Sequence, residues 1–214
     1  MINKSSSTTA LKIPVCICEE CNLEKQANGF TNLVMGDGLP GKKLCAACFN
    51  SKAAKRMGVA PPQPSEFAPI LLFDSVGKEH RFYFQVRLST GLGITAHEVN
   101  EYGEPCGYRF SVMQHPATPS TEAYAKLVEK IKGGLSVRYL ESSDFGSFSS
   151  QNRLYVKEDS IVGRIEENEA GPTAVIDGIE YSWEELGRFV SSHMGFNFRL
   201  ECIDPYEEIE KKFQ

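Results

Sequence analysis

The sequence predicts an α+β protein in two parts: a small zinc-binding module, then an antiparallel-sheet domain with about two helices. Three observations support this prediction. Two Cys-x2-Cys pairs lie within the first fifty residues. Short alternating apolar segments, separated by glycine and proline turns, fill residues 66–113, a pattern typical of an antiparallel meander. Helix and strand signals then follow without the regular βαβ alternation of a parallel sheet.

The composition is that of a globular chain in a reducing compartment. Of 214 residues, 41% are hydrophobic and 24% are charged, which is ordinary for a globular domain. No apolar run approaches the roughly 18 residues of a membrane helix, and the N-terminal residues lack the apolar segment of a secretory signal. The seven cysteines are an odd number and cannot all pair within the chain. We therefore predict a cytoplasmic protein with no membrane association.

Composition and charge divide the chain into five segments. They are a disordered leader at 1–10, a zinc-finger module at 11–58, a proline-rich linker at 59–65, an α+β domain at 66–204 and a charged tail at 205–214. The first sixty residues carry a formal charge of +4 and the remainder −9. This asymmetry predicts two parts with different surfaces.

The predicted metal site consists of Cys18, Cys21, Cys45 and Cys48. The two pairs are separated by the 23 residues 22–44. A two-residue spacer lets two sulfur atoms reach one ion from adjacent corners of a tetrahedron, the geometry that zinc prefers. Four thiolates leave no open position, so the predicted Zn2+ is structural rather than catalytic. Cys16 is an alternative first ligand, because it forms a Cys-x4-Cys pair with Cys21.

The segments around these pairs resemble a treble-clef zinc finger. Ile13, Val15 and Ile17 alternate into the first pair as a short strand. Glycine and proline break the spacer at 36–41, which is consistent with a hairpin. The second pair leads into a helix-forming segment at 49–57 that Gly58 ends. The resemblance covers residues 13–58 and implies a fold and a metal, not an activity.

The second domain is predicted to begin with a four-stranded meander. Asp177-Gly178 predicts a two-residue hairpin turn, and Ser182 with Glu185 predicts a capping box at the start of a helix. The predicted strands are 69–73, 81–88, 94–101, 107–113, 135–140, 153–156, 161–166, 173–176, 179–182 and 196–203. The first predicted helix is capped by Thr118 or Ser120 and ends at Gly133-Gly134. The second begins at residue 183 and ends near Met194.

Two segments near the end resemble the C-terminal signature of a bacterial domain family of unknown function. They are Asp177-Gly178-Ile179-Glu180-Tyr181-Ser182-Trp183-Glu184-Glu185-Leu186-Gly187-Arg188 and Gly195-Phe196-Asn197-Phe198-Arg199-Leu200-Glu201. The resemblance is specific over about residues 173–204. It implies a bacterial source and no mechanism.

Three classes of function fit the sequence. The leading hypothesis is zinc-stabilised binding or scaffolding with a protein partner. The alternative is weak nucleic-acid binding through cations of the finger, which are Lys42, Lys43, Lys52, Lys55 and Arg56. The third is an enzyme of unknown type in the second domain. We assign no catalytic residue, because the four histidines form no spaced pair and no nucleophile or phosphate-loop motif occurs.

Overall fold

The computed structural model describes residues 15–26, 30–33, 41–63, 67–142, 154–168 and 171–207. The chain divides into two compact units, which we call the N-terminal unit (Met1–Pro61 with Arg87–Ser89) and the C-terminal unit (Pro62–Val86 with Thr90–Gln214). The leader predicted at 1–10 lies outside the described residues, and the five segment boundaries stay predictions. No helix in the described ranges is both long and apolar enough to cross a membrane.

The N-terminal unit contains two short hairpins and one helix. Its elements are β1 (Val15–Ile17) paired with β2 (Glu24–Gln26), β3 (Phe30–Leu33) paired with β4 (Lys42–Cys45), and α1 (Ala46–Met57), both pairs being antiparallel. Gly58 ends α1 at φ 68° and donates its backbone N–H to Ala54 O, a left-handed cap that glycine adopts readily. The glycines predicted to break the spacer at 36–38 lie outside the described residues.

The C-terminal unit begins with the predicted meander. Four strands form one sheet in the order β5-β6-β7-β8, and they are β5 (Ile70–Phe73), β6 (Glu79–Leu88), β7 (Leu92–Val99) and β8 (Pro105–Gln114). Helix α2 (Ser120–Ser136) packs on β7 and β8. Its buried stripe is Ala123, Leu127, Ile131 and Leu135. The α+β class predicted from the sequence is confirmed.

The start and end of α2 differ from the prediction. Its N-cap is Pro119, and no side chain makes a capping hydrogen bond there. The helix also continues through Gly133-Gly134, so the strand predicted at 135–140 is wrong except at Leu140. A Cβ atom at Gly134 would lie 2.4 Å from Cε1 of Phe110. Glycine is therefore needed at 134 for close approach to an aromatic ring, not for ending the helix.

The remaining elements enclose a second apolar core. They are β9 (Leu140–Ser142), β10 (Leu154–Val156), β11 (Arg164–Asn168), β12 (Gly171–Ile176), β13 (Ile179–Ser182), α3 (Trp183–Phe189) and a 3-10 turn (Val190–His193). The strands form a β9-β10 pair and a β11-β12-β13 sheet. Their core contains Leu140, Val156, Ala174, Ile176, Tyr181 and Phe189. Residues 196–203 are not a strand, so that prediction was wrong.

The hairpin between β12 and β13 has the turn that the sequence predicts. Asp177 and Gly178 adopt φ 51° and 73°, as a two-residue turn of this type requires. The Asp177 carboxylate also accepts the backbone N–H groups of Tyr139 (3.0 Å) and Leu140 (2.8 Å). The turn therefore anchors β9 to the hairpin in addition to reversing the chain.

The capping box at the start of α3 yields the first stability prediction. Ser182 Oγ accepts the Glu185 N–H at 3.2 Å, and the Ser182 N–H donates to Glu185 Oε2 at 2.8 Å. We expect Ser182→Ala to lower the free energy of unfolding by about 1 kcal/mol, because one helix-end N–H loses its acceptor. Chemical denaturation measures this loss. Thr121→Ala, which removes an exposed hydroxyl from α2, is the matched control, and equal stability of the two variants would contradict the capping role.

Candidate metal centre

The first cysteine pair lies on a tight knuckle that follows β1. The Asn22 N–H donates to Cys18 O (2.9 Å), and the Cys18 N–H donates to Leu23 O (3.1 Å). Asn22 adopts φ 56°, a left-handed conformation that asparagine tolerates better than most residues. The Glu19 N–H donates to Lys43 O at 3.1 Å, which ties the knuckle to β4. The knuckle is thereby held beside the second pair.

The second pair lies at the junction of β4 and α1. Cys45 is the N-cap of α1, and Cys48 lies in the first turn. The Cys45 backbone N–H donates to Cys18 Sγ at 3.3 Å. Unpaired N–H groups and the helix dipole at this end favour negatively charged sulfur. The site thus has backbone donors suited to thiolates before any ion is added.

The four predicted ligands meet at one point. All four Sγ atoms lie within 4.8 Å of one another, and Cys21 Sγ is 3.9 Å from Cys45 Sγ. A tetrahedron with Zn–S bonds of 2.3 Å has sulfur–sulfur edges of about 3.8 Å. Disulfide bonds would need about 2.05 Å, and all four thiols are free. The cluster therefore has the dimensions of a tetrathiolate metal site, and these four side chains could hold a metal ion.

Burial and charge make a metal-free cluster of four thiolates unfavourable. Cys18 and Cys45 are buried, and Leu44 and Phe49 pack against them. Burial alone would raise the pKa of Cys18, but backbone N–H donors from Cys45, Cys21 and Glu20 lower it to about 6. Burial and the neighbouring thiols raise the pKa of Cys48 far above its usual range. A divalent cation would allow all four sulfurs to be thiolates at neutral pH.

Cys16 lies outside this cluster. Its Sγ is 2.9 Å from Nζ of Lys43, and it is not among the four clustered sulfurs. The arrangement therefore favours Cys18 over Cys16 as the first ligand.

Substitutions of Cys18 and Cys16 are expected to have different effects on the metal content of the protein. We expect Cys18→Ser to lose or strongly weaken metal binding, because a tetrahedral thiolate shell would lack one corner. Cys16→Ser should keep about one metal ion per chain. Inductively coupled plasma spectrometry of the dialysed proteins measures both contents. Retention by Cys18→Ser together with loss from Cys16→Ser would transfer the ligand role to Cys16.

The basic residues of the finger do not form one uncompensated patch. Lys52 Nζ lies 2.9 Å from Glu20 Oε1, and this hydrogen bond is the main reason that the pKa of Glu20 is lowered. Lys43 contacts Cys16. Lys55 and Arg56 are exposed in the last turn of α1, where cations suit the helix dipole. Local contacts or the helix dipole therefore explain Lys43, Lys52, Lys55 and Arg56 without nucleic acid.

Of the two remaining cysteines, only Cys202 differs from expectation. Cys106 and Cys202 are predicted to be core or strand residues. Cys106 does lie in β8, but both residues are exposed, and Cys202 lies in a segment without regular structure. Neither contributes to the four-cysteine cluster.

A buried cluster of ionisable side chains in the C-terminal unit is not predicted from the sequence. The side chains of His80 and Asp74 are 2% and 3% exposed, and His80 Nε2 lies 3.4 Å from Asp74 Oδ2. His80 Nδ1 lies 2.7 Å from Glu98 Oε1. Burial alone would raise the pKa of Asp74, but two backbone N–H donors and the His80 ring outweigh it and lower the pKa. The available signal was the alternation of β7, which puts Glu98 on the same face as Ile94 and Ala96.

Comparison with known proteins covers the C-terminal unit. Residues 64–136 are similar to a domain of unknown function, DUF7686. Residues 139–207 are similar to a second domain of unknown function, DUF7713. No curated protein and no solved structure matches the chain. Both similarities begin after the cysteine cluster, and the second includes all of the signature at 173–204. The bacterial source stays a prediction.

Proposed function

We propose that this chain is a zinc-stabilised binding or scaffolding protein whose partner is a protein. The observation that carries the proposal is the meeting of four thiols within 4.8 Å. Four sulfur ligands favour zinc or iron among the common metals. A complete thiolate shell would leave no position for water or substrate, so the ion would stabilise the N-terminal unit rather than catalyse a reaction.

Metal analysis of the purified full chain tests the first half of this proposal. Native mass spectrometry should show about one zinc ion per chain, as a closed tetrathiolate site binds one. Elemental analysis of the same sample distinguishes zinc from iron. A folded N-terminal unit without metal would refute the proposed role of the ion.

The exposed apolar segment after α3 supports a protein partner. Met194 is 84% exposed, Phe196 67%, Phe198 91% and Leu200 71%. The last three alternate in sequence along a segment that the structure does not assign to any strand. Contiguous exposed apolar side chains, aromatics above all, are typical of protein interaction sites.

Site-specific crosslinking tests the partner proposal. A photoreactive phenylalanine analogue at position 198 should crosslink the full chain to a defined protein in cells. The matched control carries the analogue at Tyr102, which is 73% exposed in the turn after β7. The same crosslinked products at both positions, or none at 198, would count against a partner at this segment.

A cytoplasmic location and a bacterial source also belong to this proposal. All seven cysteines are free, which suits a reducing compartment. The bacterial source rests on the resemblance at 173–204.

Nucleic-acid binding is the alternative function, and we expect it to be weak. The five cations predicted to contact phosphate are few, Lys52 is already paired with Glu20, and residues 61–214 carry a formal charge of −9. Counterion release scales with the contacts made. Fluorescence titration with labelled single- and double-stranded oligonucleotides should show binding that disappears near 150 mM salt, where charges are screened beyond about 8 Å.

The charge variants decide between specific and nonspecific binding. Lys52→Ala and Arg56→Ala remove cations of the finger, and Lys126→Ala removes an exposed cation of α2 as a control. Sub-micromolar affinity at that salt concentration, reduced by the first two variants alone, would make nucleic-acid recognition the leading function.

An enzyme is the third hypothesis. The arrangement closest to a catalytic triad is a surface chain in which His193 contacts Ser192 Oγ at 3.0 Å and Asp159 Oδ1 at 2.8 Å. The Asp159 side chain is 77% exposed. None of the three residues lines the polar cavity on the sheet β5-β6-β7-β8, which residues such as His97 and Arg109 border. A buried, cavity-facing base is typical of such sites. This chain of hydrogen bonds is therefore better explained as surface structure.

A further inference from the structure

The C-terminal unit has a polar cavity on one face of its meander sheet. The cavity has a volume of about 220 Å³. Residues of β6, β7 and β8 form its floor, and Pro205 and Tyr206 form one wall. Lys130 Nζ donates to Ser111 O (2.9 Å) and to Glu207 O (3.1 Å). This lysine therefore connects the wall to the floor.

Strand register explains why polar side chains meet here. Thr95 pairs with Ser111, and His97 pairs with Arg109, across β7 and β8. Side chains directly opposite each other in a pair of strands lie on the same face. The alternate residues of β7, Ile94 and Ala96, are buried on the other face. The hydroxyls of Thr95 and Ser111 are 3.0 Å apart.

His97 lines this cavity, and its ring carries a buried nitrogen, Nε2. Its Nε2 has no hydrogen-bond partner within the described part of the chain, and leaving such an atom unpaired is costly. The ring stacks on Tyr83 with centroids 5.1 Å apart and planes 14° from parallel. The pKa of His97 is lowered to about 4, mainly by burial and then by the charges of Arg109 and Arg164. Glu166 has the opposing effect but does not outweigh them. The imidazole is therefore neutral at physiological pH and can donate or accept one hydrogen bond at Nε2.

The charges beside His97 sum to one positive charge. Arg109 lies 3.1 Å from Glu166 Oε1, and Arg164 Nε contacts the same oxygen. Two guanidinium groups thus share one carboxylate. A guanidinium has five N–H donors in a planar fork that suits carboxylate and phosphate groups, and one contact to Glu166 does not use all of them.

We propose that this cavity binds a small oxyanion, a carboxylate or a phosphate group, through Arg109, the hydroxyls of Thr95 and Ser111, and His97. The anion would neutralise the excess positive charge. It would also give His97 Nε2 the partner that this buried atom lacks among the described residues. Tyr206 would cover the ligand from the side. This site is separate from the four-cysteine cluster and does not depend on zinc binding.

Nuclear magnetic resonance of the His97 ring in the zinc-loaded full chain tests the proposal. The probes are inorganic phosphate and acetate, each titrated at constant ionic strength against chloride. Either probe should shift the His97 ring signals saturably and raise the pKa of His97, because an anion beside Arg109 and Arg164 stabilises the imidazolium. Phosphate acting more strongly than acetate would identify a phosphate site, and the reverse order a carboxylate site.

Three variants establish which residues hold the anion. Arg109→Gln should weaken binding about tenfold, since it removes a charge-assisted contact. Arg188→Gln makes the same charge change on exposed α3, where Arg188 pairs with Glu184, and should leave affinity unchanged. Thr95→Val removes a hydroxyl without touching the Arg109–Glu166 pair and should weaken binding several-fold. It therefore keeps the test decisive if Arg109→Gln unfolds.

Two outcomes would contradict the proposed anion site. A linear, non-saturating response to both probes would overturn the proposal. Equal affinities of wild type, Thr95→Val and Arg109→Gln would do the same, because the anion would then be bound elsewhere.

Discussion

Replacing Cys45 with serine is expected to release the metal and unfold the N-terminal unit while the C-terminal unit stays folded. Cys45 is both a proposed ligand and the N-cap of α1, so its loss removes one corner of the tetrahedron at the helix start. Binding of structural zinc contributes about 10–16 kcal/mol in zinc-finger peptides. Among the described residues before Pro61, the buried apolar side chains other than cysteine are Leu44, Phe49 and Ala54, and these are too few to replace it.

Amide hydrogen exchange measured by mass spectrometry resolves the two units. In Cys45→Ser, peptides from 42–57 should exchange rapidly, whereas peptides from 120–136 should keep their protection. Cys106→Ser is the matched control, because Cys106 is exposed and lies outside the cluster. Full protection of 42–57 in metal-free Cys45→Ser would show that the unit folds without the ion.

A zinc ion bound by these four cysteines would make the N-terminal unit sensitive to acid. Zinc binds thiolates, so protons compete with it and metal affinity falls as pH falls. Protons compete least with the metal at Cys18, because its pKa without metal is about 6. The pKa of Cys48 is raised, so its thiol must lose a proton when the metal binds. Lowering the pH from neutral should therefore release the metal and expose 42–57, and raising it again should reverse the change.

The spacing of the cysteines along the chain was sufficient to predict the four-cysteine cluster. The positions of the two Cys-x2-Cys pairs depend on a knuckle and a helix start, both of which are short-range features. Gly58 and the turn at Asp177-Gly178 were predicted for the same reason, since a left-handed φ selects glycine or asparagine-like residues. The nearby Cys16 could not be excluded by spacing, because both spacings are sterically acceptable.

The errors occurred where tertiary contacts override local preference. Gly133-Gly134 predicts a helix end, yet packing against Phe110 and the burial of Leu135 continue the helix beyond it. Residues 196–203 alternate like a strand, but alternation alone cannot supply a neighbouring strand for the backbone. Both outcomes depend on residues distant in sequence.

The alternation of β7 puts Glu98 on the face of Ile94 and Ala96, but the partners of the polar residues in the C-terminal unit were beyond sequence reasoning. The register of β7 with β8 shifts between His97 and Glu98, an irregularity that no residue pattern marked. That register places His97 opposite Arg109 on one face of the sheet. It also leaves Glu98 on the buried face beside His80. A one-residue change in register would reverse both assignments.

The carboxylate of Glu98 connects the buried His80 ring to the backbone of Tyr108. Its Oε1 lies 2.7 Å from His80 Nδ1, and its Oε2 accepts the Tyr108 N–H at 2.8 Å. Gly107 has φ 51°, and a Cβ atom there would lie 2.1 Å from Glu98 Oε2. The irregular backbone of β8 is therefore shaped around this carboxylate.

Glu98→Ala is expected to destabilise the C-terminal unit by about 3 kcal/mol or more, because it removes one member of a buried charged cluster and leaves its partners uncompensated. Glu98→Gln should cost less, since its amide oxygen can still accept one hydrogen bond. Urea denaturation followed by tryptophan fluorescence at Trp183 measures both, with exposed Glu101→Ala as the control. If Glu98→Ala were no more destabilising than Glu101→Ala, His80 would have to find another buried acceptor. The nearest candidate is Asp74, whose Oδ2 already lies 3.4 Å from His80 Nε2. The double variant Asp74→Asn, Glu98→Ala would then show the loss of stability that Glu98→Ala alone did not.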